Sequence, residues 1–219
     1  MNTDAQFGQQ LREWRQRRHL SQLDLALDAE ISTRHLSFVE TGRAKPSREM
    51  VLRLAERLDV PLRERNRLLV AAGFAPGFPE RALDDPGLAA ARRAIDLVLA
   101  GHEPFPALAV DRHWHMVAAN RAVAPFLDGV APALLAPPVN VLRLSLHPQG
   151  LAPRIANYGE WRAHLLTRLV GQIDVSADPA LIALLDELKA LPAPKGASPR
   201  GRVAEAYGGI AVPLRLATA

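Results

Sequence analysis

The 219-residue chain contains no cysteine, which excludes disulfides, thiolate nucleophiles and cysteine-ligated metal centres. It also lacks any apolar run long enough for a signal segment or a membrane span, so the sequence predicts a cytoplasmic protein with no membrane partner. No HExxH, no phosphate-cradling glycine loop and no nucleophile elbow occurs, and the chemistry those motifs carry is not expected. Segregated charge is missing too. Residues 1–80 hold 13 basic and 11 acidic side chains and the remainder 14 and 12, within a net charge of +4. Attraction to an anionic partner must therefore come from local clusters. Only three of the 27 basic residues are lysine, a bias of GC-rich coding sequence rather than of mechanism.

What is present is clearest from Ser21 to Gly42, SQLDLALDAEISTRHLSFVETG. The stretch reads as two short helices joined by a tight turn. Ser21 and Ser32 are capping types, and Leu23, Ala26, Leu27, Ile31, Leu36 and Val39 are predicted to point inward. Thr33, Arg34, Ser37 and Phe38 then face out. Arginine suits the guanine edge, threonine donates or accepts, and a phenyl ring touches the thymine methyl, so this face carries base-reading chemistry. Gln22 is placed to clamp a phosphate. Phe7, Leu11 and Trp14 predict a supporting first helix, and Gly42 a left-handed end to the second of the pair. Arg43, Lys45 and Arg48 bracket a loop suited to the DNA backbone. Ser47 caps a fourth helix with Met50, Val51, Leu54, Ala55 and Leu58 as its stripe, and Pro61 opens a fifth that ends at Gly73. Five helices thus account for residues 7–73.

The segments SQLDLALDAEIS, STRHLSFVETGRAKPS and MVLRLAERLDV closely resemble the Xre family of helix-turn-helix regulators, which includes phage-type repressors. The resemblance covers about a third of the chain. It implies base contacts at Thr33, Arg34 and Phe38, with Ser32 and His35 beside them, and the phosphate clamp at Gln22. Glu40 and Gly42 match the end of the recognition helix. Glu30 departs from the pattern: such units usually place glycine there for a positive φ, and another residue costs on the order of 1 kcal/mol.

Residues 74–86, FAPGFPERALDDP, break the helical periodicity and mark a boundary. Beyond them a helix is predicted over Leu88 to Ala100, with Ile95, Leu97, Val98 and Leu99 as its apolar section and Gly101 as its end. Two short strands follow over Ala107 to Ala119, turning at Asp111 and Arg112, with Leu108, Val110, Trp114, Met116 and Ala118 alternating. Asn120 reads as a helix cap. Further helices are expected at Asn140 to Leu146, Tyr158 to Gln172 and Pro179 to Leu191, then a disordered stretch over Pro192 to Arg202 and a strand over Ile210 to Leu216.

This half, in AGHEPFPALAVDRHWHMVAANRAV and LLAPPVNVLRLSLHPQGLAPRIANYGEWRAHLLTRL, is similar to the ligand-binding domain of MmyB-like transcription regulators, described as PAS-like. The resemblance implies a half-barrel sheet with helices on one face, enclosing an apolar pocket for a small hydrophobic or acyl-type ligand. Phe105, Trp114, Met116, Asn120, Phe126, Leu142, Tyr158 and Trp161 are the candidate pocket residues. Arg162 and His164 could hold an anionic head group, although solvated charge is the plainer reading. In that family further strands follow VPLRL, so a domain lacking its final strands is expected.

The expected fold class is mainly α: an N-terminal five-helix, lambda-repressor-like DNA-binding domain over 1–73, a linker over 74–86, and an incomplete α+β PAS-like domain over 87–219. The expected function is a sequence-specific transcriptional regulator that binds double-stranded DNA as a homodimer, with no catalytic residues and no cofactor. Two other readings stay open. One is a metal-binding protein or an enzyme: His113 and His115, two apart on a strand, have spacing that can bind zinc, with His102, Glu103, Asp111 and His147 elsewhere, but no third ligand follows at a telling offset and no metal is expected. Alternatively the helical domain is an antitoxin-like docking module for protein.

Overall fold

Serine side chains start three of the first five helices. These are α1 (Thr3–Arg17), α2 (Gln22–Asp28), α3 (Thr33–Glu40), α4 (Arg48–Arg57) and α5 (Leu62–Ala71). The hydroxyls of Ser21, Ser32 and Ser47 accept the backbone N–H of Asp24, His35 and Met50, satisfying amides that have no partner within the helix. At Ser21 the Asp24 carboxylate accepts the serine N–H in return, closing a capping box. The computed structural model describes residues 3–79, 85–195 and 212–217.

All five helices end alike. His19, Glu30, Gly42, Asp59 and Gly73 take φ of 55, 55, 70, 47 and 83°. The next N–H in each case (Leu20, Ile31, Arg43, Val60, Phe74) donates back to the carbonyl of Arg15, Ala26, Phe38, Ala55 or Leu69, at 2.8 to 3.2 Å. This is the Schellman closure, which favours glycine at the left-handed position. Only two of the five positions have it. Glu30 thus adopts the conformation its place in the turn requires, without the residue that adopts it most easily.

Phe7, Leu11, Leu36, Val39, Leu54 and Leu69 are fully enclosed, so α1, α3, α4 and α5 share one core. Gly8 marks the tightest crossing, because a Cβ there would collide with the carbonyl oxygens of Val39 and Glu40. One expected face is wrong. Leu23 and Leu27 are 56% and 67% exposed, while Leu25, Ala26 and Ala29 are buried. In LDLALDA leucine recurs at every second position, so at 100° per residue the three leucines point to opposite sides. The small Ala26 and Ala29 select the face next to Leu25. Asn66 of α5 extends this unit past Gly73: its amide donates to the carbonyl of Phe78 and its oxygen accepts the N–H groups of Gly77 and Phe78.

The chain divides into two compact units, Met1–Arg81 with Asp174–Ser176, and the remainder. In the second, a 3-10 turn at Pro86–Leu88 leads into α6 (Ala89–Gly101). Of its apolar section Leu99 is buried, whereas Leu97 and Val98 are exposed. An antiparallel hairpin follows, β1 (Leu108–Val110) and β2 (Met116–Ala119), pairing Leu108 with Ala119, Ala109 with Ala118 and Val110 with Met116 across a bulge. The bulge breaks the single alternation expected from the sequence. Short helices α7 (Ala124–Leu127), α8 (Pro132–Leu135) and α9 (Val141–Leu146) come next, then the long α10 (Tyr158–Ser176) and α11 (Pro179–Ala190). Asn140 and Asp178 cap α9 and α11. Leu142, Leu146, Tyr158, Leu169, Leu181 and Leu188 lie at the centre of this core.

The result is a mainly helical protein with a two-stranded sheet among the described residues, rather than the expected broad half-barrel. Within the expected strand Ile210–Leu216, residues 210 and 211 lie outside the described residues. The remainder pairs with the same chain: Leu216 bridges antiparallel to Ile155, with Ala156 N–H to Arg215 O and Ala217 N–H to Arg154 O both 2.8 Å. The expected disorder from Pro192 to Arg202 falls largely outside the described residues. Among those described, no helix is long and apolar enough to cross a membrane.

Candidate nucleic-acid interface and ligand cavity

The outer side of α3 is built on a buried ion pair. Leu36, Val39 and Glu40 turn inward, and the Glu40 carboxylate accepts Arg15 Nε at 2.6 Å and Arg15 Nη2 at 2.9 Å. Arg15 Nη1 also donates to the Leu20 carbonyl. Hydrogen bonding to Glu40 raises the affinity of Arg15 for its proton further, against the opposing effect of burial. Gln22, expected as a phosphate clamp, donates from Nε2 to Glu40 Oε2 at 2.8 Å. Glu40 therefore gathers α1, α2 and α3 at one point, and a primary amide keeps a second N–H beyond the one it gives to Glu40.

Arg34 is exposed and lies over the Phe38 ring, 5.4 Å from its centroid. Thr33, His35, Ser37 and Phe38 are half-buried. Ser32 acts as the helix cap, and the Ser37 carbonyl accepts the Thr41 hydroxyl. Arg43, Lys45 and Arg48 are exposed around the buried Pro46. None of these three, nor Arg34, has a carboxylate partner among the described residues. Four cations without carboxylate partners among the described residues thus lie on α3 (Arg34), in the loop that follows it (Arg43, Lys45) and at the start of α4 (Arg48). Their arrangement suits a phosphate backbone.

In the second unit a cavity of about 380 Å³ opens among β1, α7, α9 and α10. Of the expected pocket residues, Trp114, Phe126, Leu142 and Trp161 line it. The other four do not. Phe105 is 73% exposed, and Met116 lies outside the lining. Tyr158 is 1% exposed in the core, where its hydroxyl reaches the Leu146 carbonyl. Asn120 is spent on backbone: it donates to the carbonyls of Leu99 and Phe105 and accepts the Ala107 N–H. That role, rather than helix capping, explains its burial. Sequence reading missed Leu108, Val123, Leu151 and Leu165 in the lining, which looked like any other core residues.

The polar lining is sparse. Trp161 Nε1 donates to Ser145 Oγ at 2.7 Å, and its ring is tilted against His164 with centroids 6.0 Å apart. His164 is 7% exposed and has no hydrogen bond among the described residues. Burial, with the charge of Arg168 adding to it, holds its imidazole below the usual range. Arg168, one helical turn on, stands 6.0 Å from the Trp114 ring centroid. Arg162 points elsewhere, to the carbonyls of Leu188 and Lys189.

Residues 91–215 match the MmyB-like transcription regulator ligand binding domain. The chain belongs to this family. Residues 11–65 match a helix-turn-helix family, which places α2 and α3 within the matched unit of this MmyB-like regulator. Similar to it is RghRB of Bacillus subtilis (strain 168), an uncharacterized HTH-type transcriptional regulator, 41% identical over 75 residues, or 34% of this chain and 52% of that protein. The MmyB-like chain thus spans about half the length of the curated relative it matches. The restriction-modification controller protein C.AhdI from Aeromonas hydrophila is 38% identical, over 28% of this chain and 92% of its own, with a TM-score of 0.27.

Proposed function

We propose that this MmyB-like regulator reads a specific DNA site with α3 in the major groove and does so as a homodimer. The observation that carries the reading is the exposed Arg34 stacked on Phe38, on a helix held from behind by Arg15 and Glu40. Stacking limits the rotamers of a long cation and presents its fork to a guanine edge. One helix contacts too few base pairs for a unique site, so two copies would read half-sites about one helical turn apart. In this reading the DNA-binding domain is 1–73, followed by a linker over 74–86 and a ligand-binding domain over 87–219. A cytoplasmic location follows from DNA as the partner.

The cavity supports a small hydrophobic or acyl-type ligand with an anionic end toward His164 and Arg168, whose binding changes operator affinity by favouring one of two states of the dimer. Site selection from a random DNA pool tests the main reading. A two-fold symmetric enriched sequence, lost with Arg34→Ala, supports it. Weak, salt-dependent binding with no enriched sequence overturns it.

A further inference from the structure

The turn between β1 and β2 holds a cluster that DNA reading does not use. Asp111 opens the turn and caps it from within, its Oδ1 accepting the N–H groups of both His113 and His115 at 2.8 Å. Its Oδ2 lies 3.0 Å from His115 Nδ1. The two imidazole centroids are 6.0 Å apart. One ligand atom from each of Asp111, His113 and His115 lies within 4.8 Å of the others.

Behind them, Asp178 at the start of α11 pairs with His113 Nε2 at 2.9 Å while its other oxygen accepts the Ala180 N–H. A carboxylate that fixes an imidazole from the far side is the usual outer support of a metal-bound histidine.

We propose that Asp111, His113 and His115 bind one divalent transition-metal ion of the zinc type, with Asp178 orienting His113 from outside. Tetrahedral coordination at about 2.0–2.2 Å places ligand atoms about 3.3–3.5 Å apart. The Asp111 and His115 atoms, 3.0 Å apart, are already closer than that, and the widest separation, at most 4.8 Å, has to shorten by about 1.3–1.5 Å. Two imidazoles with one carboxylate favour zinc, cobalt or nickel over magnesium or calcium, which take all-oxygen sets. Solvent supplies the fourth ligand, since Asp111, His113 and His115 are each only half-buried.

The site bears on the cavity through the residue between the histidines. Trp114 has a φ of 65°, lines the cavity and donates from its indole to Gln172 Oε1 at 2.8 Å. The backbone of the same turn is tied to the start of α9: Val141 N–H reaches the Trp114 carbonyl, and Asn140 donates to the His113 carbonyl. An ion drawing His113 and His115 together fixes the Trp114 ring as one wall of the cavity. The proposal stands on this turn and on Asp178 behind it, and does not depend on what the cavity or α3 binds.

The test uses the full, untagged chain. Cobalt(II) titration, read by its visible d–d bands, and zinc(II) calorimetry should each give one ion per chain. His113→Gln and His115→Gln should each weaken binding by more than about 100-fold, and Asp178→Asn by about 10–100-fold. His147→Gln, outside the cluster, should bind as wild type does. Circular dichroism checks that each variant is folded. Should a variant fail to fold, NMR of the histidine rings in the wild-type chain decides: zinc must move the His113 and His115 signals and leave those of His19 and His35 in place. No cobalt binding at millimolar metal, binding that survives both histidine substitutions, or unmoved His113 and His115 signals would overturn the proposal.

Discussion

Arg15 and Glu40, 25 residues apart, meet side by side with Nε 2.6 Å from Oε1 and Nη2 2.9 Å from Oε2, both side chains buried. This pair ties α1 to the last turn of α3, where Gly8 lets the two backbones touch. The geometry is two-pronged, and Gln22 and the Leu20 carbonyl occupy further sites on the same groups.

Removing one partner leaves the other charged and buried. Arg15→Met alone should therefore cost about 3–5 kcal/mol of unfolding free energy, and the double variant Arg15→Met with Glu40→Leu much less than twice that. Urea denaturation of the three proteins measures the coupling.

The left-handed helix ends give a prediction of opposite sign. Glu30→Gly and Asp59→Gly relieve a φ that costs an L-residue about 1 kcal/mol or more, offset in part by glycine's greater freedom when unfolded. Each should raise stability by about 0.5–1 kcal/mol, while Gly42→Ala should lower it by about 1 kcal/mol. Thermal midpoints of the three variants, compared with wild type, check the order.

On DNA, Arg34 of α3 and Lys45 of the loop that follows it should separate by role. Against the selected site, Arg34→Ala should lose about 1–3 kcal/mol of binding free energy and relax the preference at one base position. Lys45→Ala should weaken binding about equally on every sequence and lower the salt slope by about one. Anisotropy titrations at several salt concentrations, with specific and random duplexes, distinguish the two.

His164 supplies the pH dependence. Its folded imidazole binds a proton less readily than an ordinary histidine because it is buried, with Arg168 nearby. The unfolded chain therefore takes up the proton first as pH falls. The stability linked to this residue is complete above the ordinary histidine pKa of about 6.5 and declines as pH drops below it toward the folded value. Unfolding midpoints from about pH 7.5 to 5 should fall more steeply in wild type than in His164→Gln.

Local signals were the legible ones. Ser21, Ser32, Ser47 and Asp178 cap through contacts within three residues, and the left-handed turn at Glu30 follows from its place between two such helices. Contacts set by tertiary packing were not legible. Nothing near Arg15 in sequence names Glu40, and three alternating leucines in α2 do not reveal which one is inside. In the second unit aromatic size alone singled out Tyr158 and Phe105, yet one fills the core and the other faces solvent. The cavity wall is made instead by aliphatic residues from several short elements, which no local pattern groups together.

Asn120 has a mechanical consequence. One carboxamide satisfies the end of α6, the loop at Phe105 and the first amide before β1, and each of these bonds is worth about 1 kcal/mol. Sliding β2 along any of the three would strand buried polar groups. The hairpin and the end of α6 are thereby riveted into one lever, with Trp114 at one end and the exposed Leu97 and Val98 at the other.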